Sequence, residues 1–281
     1  MSLTRAVRSP RALAAWFPAL VAITAVGGSS ALAADPRPPA YAIGAQVADF
    51  EATDTDGKAF SLAAARAVSA EQAHAAVLAA AKERGATDAA KPADPIDGLP
   101  GLKKGDAVDA DARLAFVRAV GRPYGLMPDA KAAVGFATLG DLEKWVADAA
   151  KAPIVLVFWS PKCPAVKLYR DRVDALFAET GARLYLVASN HTDALADLKA
   201  AADAEGYRVL VDADARVADL FAAKRTPHAF VLDPKDVLRY SGAIDDDPTG
   251  QAGATALWLK DAVVAARDGK ATDVLMTAPK G

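Results

Sequence analysis

The stretch FWSPKCPAVKLYR, Phe158–Arg170, decides the interpretation of the rest, because it contains the only cysteine of the 281-residue chain. An apolar run, Ile154–Trp159, leads into it and is typical of a strand buried on both faces. Apolar residues then recur at helical spacing from Pro164 to Thr180. Proline is tolerated at the first helical position, because the N–H that it lacks would have no partner there. The pattern therefore predicts that Cys163 lies between a buried strand and the N-terminus of a helix.

This position favours a reactive thiol over a structural one. A helix N-terminus carries about half a positive charge and unpaired N–H donors, which stabilise a thiolate. Lys162 is adjacent in sequence, and Lys167 lies one helical turn further on. The alternative is a cysteine that serves as a small buried apolar side chain, but such a residue would more naturally lie in mid-strand or mid-helix. We predict that Cys163 is catalytic and that Lys162, Lys167 and Pro164 support it.

The first 33 residues have the three-part layout of a secretory signal peptide. Three arginines precede an apolar run, Ala12–Val26, and Ala31–Ala33 is a cleavage site of the A-x-A type. The run contains Pro18 and is shorter than the ~20 residues needed to cross a bilayer. An uncleaved anchor helix is the alternative interpretation. We expect an exported protein, periplasmic or secreted, with no stable membrane span after cleavage of residues 1–33.

Composition and cysteine usage exclude several functional classes. Removing residues 1–33 takes away three arginines and no acids, so the formal charge falls from −2 by three units to −5. Without a basic run, the chain is not expected to bind nucleic acid. No spacing of His, Cys and carboxylates matches a zinc or EF-hand site, so we expect neither a metal nor another cofactor. An exported chain with one cysteine cannot form an internal disulfide, so its thiol is either reactive or pairs with another molecule.

The order of the predicted elements indicates an α/β fold, with a central mixed sheet flanked by helices. Residues 34–62 contain the turn DTDG between two short apolar runs and predict a β-hairpin. Residues 63–150 are interpreted as a helical insertion, which begins with an exposed or loosely packed helix and contains a loop at 86–108. Residues 151–281 alternate strands and helices, and we interpret them as the core of the fold.

The segment around Cys163 resembles the active-site region of thioredoxin-fold redoxins, the alkyl hydroperoxide reductase and thiol-specific antioxidant (AhpC/TSA) group. Phe158–Cys163 is similar to the F-W-A-x-x-C sequence that leads into their active-site helix. Ser160, three residues before Cys163-Pro164, resembles the first position of the [ST]-x-x-C-P sequence of peroxiredoxins. The resemblance implies a thioredoxin-like fold with Cys163 as the catalytic residue and Ser160 in support.

Other segments carry the same resemblance. Thr226-Pro227 looks like the segment that holds a cis-proline opposite the active-site cysteine in that fold. The hairpin at 41–62 is similar to the N-terminal extension of redoxins, and LRYSGAIDD, Leu238–Asp246, is similar to a hairpin of periplasmic members. The resemblance implies that Pro227 shapes the groove in which a partner's backbone lies, and that the chain has antioxidant activity.

Two departures from these families bear on the mechanism. Val166 stands where a thioredoxin-type oxidoreductase has its second cysteine, and Leu156 stands where a peroxiredoxin has a proline. One thiol cannot complete a dithiol cycle alone, so a mixed disulfide or sulfenic acid on Cys163 requires an outside thiol to resolve it. We therefore expect a thiol-dependent oxidoreductase whose partner is an external thiol reductant or a partner-protein disulfide.

Two alternative functions stay open at this point. The chain could be a redox-degenerate thioredoxin-fold module that binds a partner without turnover. It could also be a metal-handling domain in which His228, which follows Pro227, joins Cys163 as a ligand or acts as its base. An outward-facing histidine at the start of a strand is the simpler interpretation of His228.

Overall fold

The computed structural model describes residues 40–87, 90–100, 102 and 107–280, so the predicted signal peptide lies outside the described residues. The strands are β1 (Glu51–Asp54), β2 (Ala59–Ser61), β3 (Ile154–Phe158), β4 (Arg183–Ala188), β5 (Val209–Val211), β6 (His228–Leu232) and β7 (Leu238–Gly242). Within the described residues, these seven strands form one sheet in the order β2-β1-β5-β4-β3-β6-β7. Strands β3, β4 and β5 run parallel, whereas β6 pairs antiparallel with β3, and β7 with β6.

The helices of the described residues occupy two parts of the chain. Those between β2 and β3 are α1 (Leu62–Arg66), α2 (Ala70–Glu83), α3 (Ala107–Gly121), α4 (Ala130–Gly135) and α5 (Leu139–Asp148). Those after β3 are α6 (Pro164–Thr180), α7 (Leu195–Glu205), α8 (Arg216–Phe221) and α9 (Trp258–Arg267). Among these helices, none is both long and apolar enough to cross a membrane.

The N-terminal hairpin forms where the turn sequence predicts it. Strands β1 and β2 pair antiparallel, and Gly57 in the turn between them has a φ of 75°, a left-handed conformation that favours glycine. Strand β1 also pairs with β5 through Thr53 and Asp54. The hairpin is therefore an edge of the central sheet.

The central strand β3 is buried at all five positions, as its apolar sequence predicts. Because side chains alternate across a sheet, its residues divide between two cores. Val155 and Val157 join the core beneath α6, α7 and α9. Ile154, Leu156 and Phe158 join a second core, formed with α8 and the hairpin. The two faces of the sheet are therefore separate environments, and a side chain's face determines which groups it can reach.

Helices α2 to α5 share a third core, which corrects two expectations. Ala73 and Ala81 of α2 are fully buried, so this helix is not exposed or loosely packed; small side chains let it lie close against its neighbours. The loop at 86–108 also contributes, within its described part, because Ile96 and Leu102 are fully buried. Apolar side chains in a proline- and glycine-rich segment thus complete the core.

A buried arginine at the start of β4 connects the helical segment to the sheet. Arg183 has no exposed surface. Its guanidinium donates to the carbonyl oxygens of Tyr124 (2.8 Å) and Ala65 (2.6 Å) and to the hydroxyl of Tyr185 (2.5 Å). A further contact reaches the Ala149 carbonyl at 3.4 Å. One side chain therefore serves acceptors from three places in the segment between β2 and β3.

The predicted fold class is confirmed: an α/β fold with a central mixed sheet flanked by helices, an N-terminal hairpin and a helical segment before the central strand. The boundaries at 63, 150 and 151 remain predictions.

Candidate functional site

Cys163 lies at the junction that the sequence predicts. It is the residue that precedes α6, with an extended backbone (φ −77°, ψ 119°), and Pro164 is the first residue of the helix. The residue is partly exposed. It therefore combines access from outside with the unpaired N–H groups of a helix N-terminus.

The sulfur lies against the segment Thr226-Pro227. The Sγ of Cys163 donates to the carbonyl oxygen of Thr226 at 3.0 Å, and the Thr226-Pro227 peptide bond is cis. This contact brings together two motifs that are 63 residues apart in the chain. A thiolate has no proton to donate to this carbonyl, so the contact is a hydrogen bond of the thiol form. The sulfur is expected to leave the Thr226 carbonyl when it attacks a partner.

The turn before α6 is held by Ser160, which is buried. The carbonyl oxygen of Ser160 accepts from the backbone N–H of Cys163 at 3.1 Å. Its hydroxyl accepts from the backbone N–H of Lys162 at 3.3 Å. Both contacts fix the backbone that carries the thiol, so Ser160 acts on the geometry of the site.

The ammonium of Lys162 lies with the loop after β4. It donates to the carbonyl oxygen of Thr192 at 2.9 Å and lies 3.4 Å from a carboxylate oxygen of Asp197. These acceptors bind the ammonium of Lys162, and its supporting role at the sulfur stays a prediction. Lys167 is exposed on the first turns of α6.

The sequence analysis did not identify Asp193, a buried carboxylate next to Lys162. The side chain of Asp193 has no exposed surface, and its Oδ1 lies 3.8 Å from the Nζ of Lys162. Neither oxygen has a hydrogen-bond partner among the described residues. Asp193 follows the carboxyl end of β4, where binding sites often lie in α/β sheets. This position in the sequence could have marked Asp193 as a candidate site residue. Asp193 therefore interacts with Lys162, the residue before Cys163, as an ion pair without a hydrogen bond.

His228 lies on the other side of the sheet from α6. Its ring stacks near Phe230, with centroids 4.3 Å apart, and Phe230 belongs to the core formed with α8 and the hairpin. The ring nitrogens contact the backbone N–H of Lys224 (3.3 Å) and the hydroxyl of Ser241 (3.2 Å). This placement corrects the proposal that His228 serves Cys163 as a base or as a second metal ligand.

Metal binding finds no further support in the part of the chain that the structure describes. Within it, no group of three or more His, Cys, Asp or Glu side chains is arranged to hold an ion. The metal-handling alternative depended on the pair Cys163 and His228; Cys163 precedes α6, whereas the ring of His228 packs against Phe230 on the opposite face of the sheet from α6.

We expect His228 to make the folded protein less stable in acid. Burial, with a smaller contribution from Lys224, lowers the pKa of His228 to about 4, whereas the unfolded chain has the ordinary pKa of about 6.5. Since the unfolded state takes up the proton first, stability is lost as pH falls from about 6.5 to about 4. The loss that the shift implies is about 2–3 kcal/mol.

Urea denaturation of the wild type and His228→Gln across this pH range measures the effect. The variant should show a shallower decline in the free energy of unfolding, because glutamine does not titrate. Identical slopes for the two proteins would mean that His228 is accessible to protons in the folded state.

Comparisons with known proteins give remote matches. No curated protein matches the sequence. A hypothetical protein from Sinorhizobium meliloti has 19% identity and a TM-score of 0.48, over 85% of this chain and 93% of its own. The pneumococcal exposed lipoprotein thioredoxin from Streptococcus pneumoniae has 14% identity and a TM-score of 0.37, over 79% and 99%. The peroxidoxin BcpB from Mycobacterium tuberculosis has 15% identity and a TM-score of 0.37, over 81% and 96%.

The family match is more specific, because it covers the site. Residues 127–241 match the model of the AhpC/TSA family. The matched segment contains Cys163 and the cis peptide before Pro227, and it begins within the stretch 63–150 that we interpret as an insertion. The match confirms the resemblance seen in the motifs, and the strand order with Cys163 before α6 agrees with the predicted thioredoxin-like fold. Residues 127–241 therefore resemble the AhpC/TSA family within a thioredoxin-like fold, and this matched segment contains the chain's one cysteine.

Proposed function

We propose that this protein is a thiol-dependent oxidoreductase that works through Cys163 alone and needs an outside thiol to complete its cycle. One observation carries the proposal: a partly exposed cysteine at the N-terminus of α6, whose sulfur contacts the segment Thr226-Pro227. AhpC/TSA membership supports redox function in general. The single-cysteine cycle follows from the count of one thiol in the chain.

In the disulfide reaction, the thiolate of Cys163 attacks one sulfur of a partner disulfide. A new S–S bond forms, the partner's bond breaks, and the partner's other sulfur leaves as a thiolate. An external thiolate then attacks the partner's sulfur in the mixed disulfide and displaces Cys163. The outside thiol is oxidised to a disulfide with the partner's sulfur, and Cys163 returns unchanged.

In the peroxide reaction, the thiolate attacks an oxygen of the O–O bond. Cys163 becomes a sulfenic acid, and the other oxygen leaves and takes up a proton to give an alcohol or water. One external thiol condenses with the sulfenic acid and releases water. A second external thiol then displaces Cys163, so two thiols are oxidised to one disulfide for each peroxide reduced.

The surrounding residues have separate roles in this proposal. The N-terminus of α6, opened by Pro164, stabilises the thiolate once the sulfur leaves the Thr226 carbonyl. Ser160 fixes the turn that carries the thiol. Pro227, which has no backbone N–H, shapes the surface against which the partner lies. We propose an exported location on the sequence of residues 1–33.

A redox-degenerate binding module is the second candidate, and two observations favour it. The thiol of Cys163 donates to the Thr226 carbonyl, and the ammonium of Lys162 is engaged by Thr192 and Asp197. Both groups are therefore already bound within the chain. In this case Cys163 would hold a partner without turning over.

Multiple-turnover assays distinguish the two candidates. The purified chain is mixed with dithiothreitol and either hydrogen peroxide or bis(2-hydroxyethyl) disulfide, and loss of oxidant is followed above the background without protein. The oxidoreductase should consume many equivalents of at least one oxidant. Consumption that never exceeds one equivalent per chain, with either oxidant, would support the binding module.

A further inference from the structure

A cavity of about 350 Å³ lies between α6 and α7, beside the turn that carries Cys163. Its walls are mostly apolar or aromatic and come from the central strands and from both helices: Val157, Trp159, Val173, Leu186, Ala201 and Tyr207. The volume is at the lower end of the roughly 300–1,000 Å³ that is usual for small-molecule sites. It therefore suits a small apolar ligand and not a folded segment of a partner.

The charged residues that line the cavity are Lys167 and Arg170 of α6 and Glu205 of α7. They leave an excess of one positive charge. The guanidinium of Arg170 lies 3.7 Å from the Glu205 carboxylate, beyond hydrogen-bond distance, so its donors are not used up by this pair. Lys167 is exposed. A ligand with one negative charge complements this set.

The aromatic hydroxyls of the walls add no positive charge for such a ligand. The hydroxyl of Tyr207 donates to Asp174. Burial raises the pKa of the Tyr169 hydroxyl, with a further contribution from Asp245, so this group stays neutral and adds no negative charge. The charge that attracts an anion therefore comes from Lys167 and Arg170.

We propose that this cavity binds the hydrocarbon chain of a small amphiphilic monocarboxylate, with the carboxylate held by Lys167 and Arg170. Binding is non-covalent and does not use the sulfur, because Cys163 is not among the lining residues. The site is thus a ligand site beyond the proposed redox function. It is connected to that function through Pro161, Val166 and Pro227, which line the cavity and lie within three residues of Cys163 or next to its contact Thr226 in the chain.

Octanoate is the probe, and octylamine is the control with a similar chain and the opposite charge. Calorimetry on the full chain should show saturable binding of octanoate, at least about tenfold tighter than that of octylamine. Nuclear Overhauser effects from the octanoate methylenes to the rings of Trp159 and Tyr207 should place the chain in the cavity. The same affinity should be found for Cys163→Ala, so failure of the redox proposal would leave this result intact.

Two matched pairs of variants locate the site. Ala201→Phe places a ring in the cavity and should weaken octanoate binding at least about tenfold; Ala204→Phe, at an exposed position of the same helix, should not. Lys167→Glu should weaken binding about fivefold or more, and Lys151→Glu, at an exposed residue outside the cavity, should leave it unchanged. Thermal unfolding checks that each variant is folded.

Several results would overturn the proposal. Absence of saturable octanoate binding to the wild type would remove the site, and this result does not depend on whether any variant folds. Equal affinity for octylamine would remove the role of the two cations. Binding that persists in folded Ala201→Phe, or Overhauser contacts to other parts of the chain, would place the ligand elsewhere.

Discussion

Replacing Cys163 by serine is expected to reduce the thiol-dependent turnover of this protein to the uncatalysed background, a loss on the order of 10³-fold or more. Cys163 is the only cysteine of the chain, so no second thiol can replace it as the nucleophile. A serine hydroxyl can still donate to the Thr226 carbonyl, so the fold should be preserved. The measurement is consumption of bis(2-hydroxyethyl) disulfide and of hydrogen peroxide with dithiothreitol as reductant.

The control compares stability in the same preparations. The side chain of Cys163 makes one hydrogen bond and is partly exposed, so Cys163→Ser should change the free energy of unfolding by less than about 1 kcal/mol. Cys163→Ala removes that hydrogen bond and should be equally inactive. Wild-type turnover in either folded variant would show that the chemistry does not pass through this thiol.

Arg183→Met is expected to give the largest loss of stability, about 3 kcal/mol in the free energy of unfolding. The substitution removes the Arg183 donor from the carbonyl oxygens of Ala65 and Tyr124, at about 1–3 kcal/mol for each unsatisfied group. The Ala149 carbonyl keeps the backbone N–H of Ala152 as a donor. Part of this cost is offset, because burial also disfavours the charged guanidinium and lowers the pKa of Arg183.

Arg216→Met is the matched control, because the Arg216 side chain is 85% exposed and pairs only with Asp214 at the surface. It should change stability by less than about 0.5 kcal/mol. Urea denaturation followed by circular dichroism measures both variants. Equal stability of Arg183→Met and Arg216→Met would show that the hydrogen bonds of Arg183 do not contribute to holding the segment before β3 on the sheet.

The sequence predicts those parts of the fold whose causes are local. The apolar run of β3 and the proline at the start of α6 each act within a few residues, and the structure has both. The turn at Gly57 was also predicted from neighbouring residues alone, and the structure contains it. The position of Cys163 at a helix N-terminus follows from such local signals.

Long-range pairings account for what the sequence did not predict. Arg183 binds carbonyls that are up to 118 residues away, and Lys162 is held by a loop 30 residues further on. The sequence also does not show on which face of the sheet the His228 side chain lies. Strand β6 is buried at every position, and a strand buried on both faces has no alternation of apolar and polar residues. Only its pairing with Phe158 across the sheet assigns the face.

Intact-mass analysis after exposure to bis(2-hydroxyethyl) disulfide tests the central claim most directly. The native chain should gain the mass of a single mercaptoethanol adduct, localised to Cys163 by peptide mapping and removed by dithiothreitol. A native chain that stays unmodified under conditions in which the urea-unfolded chain is modified at the same thiol would contradict the account, because the sulfur would then be out of reach of any partner.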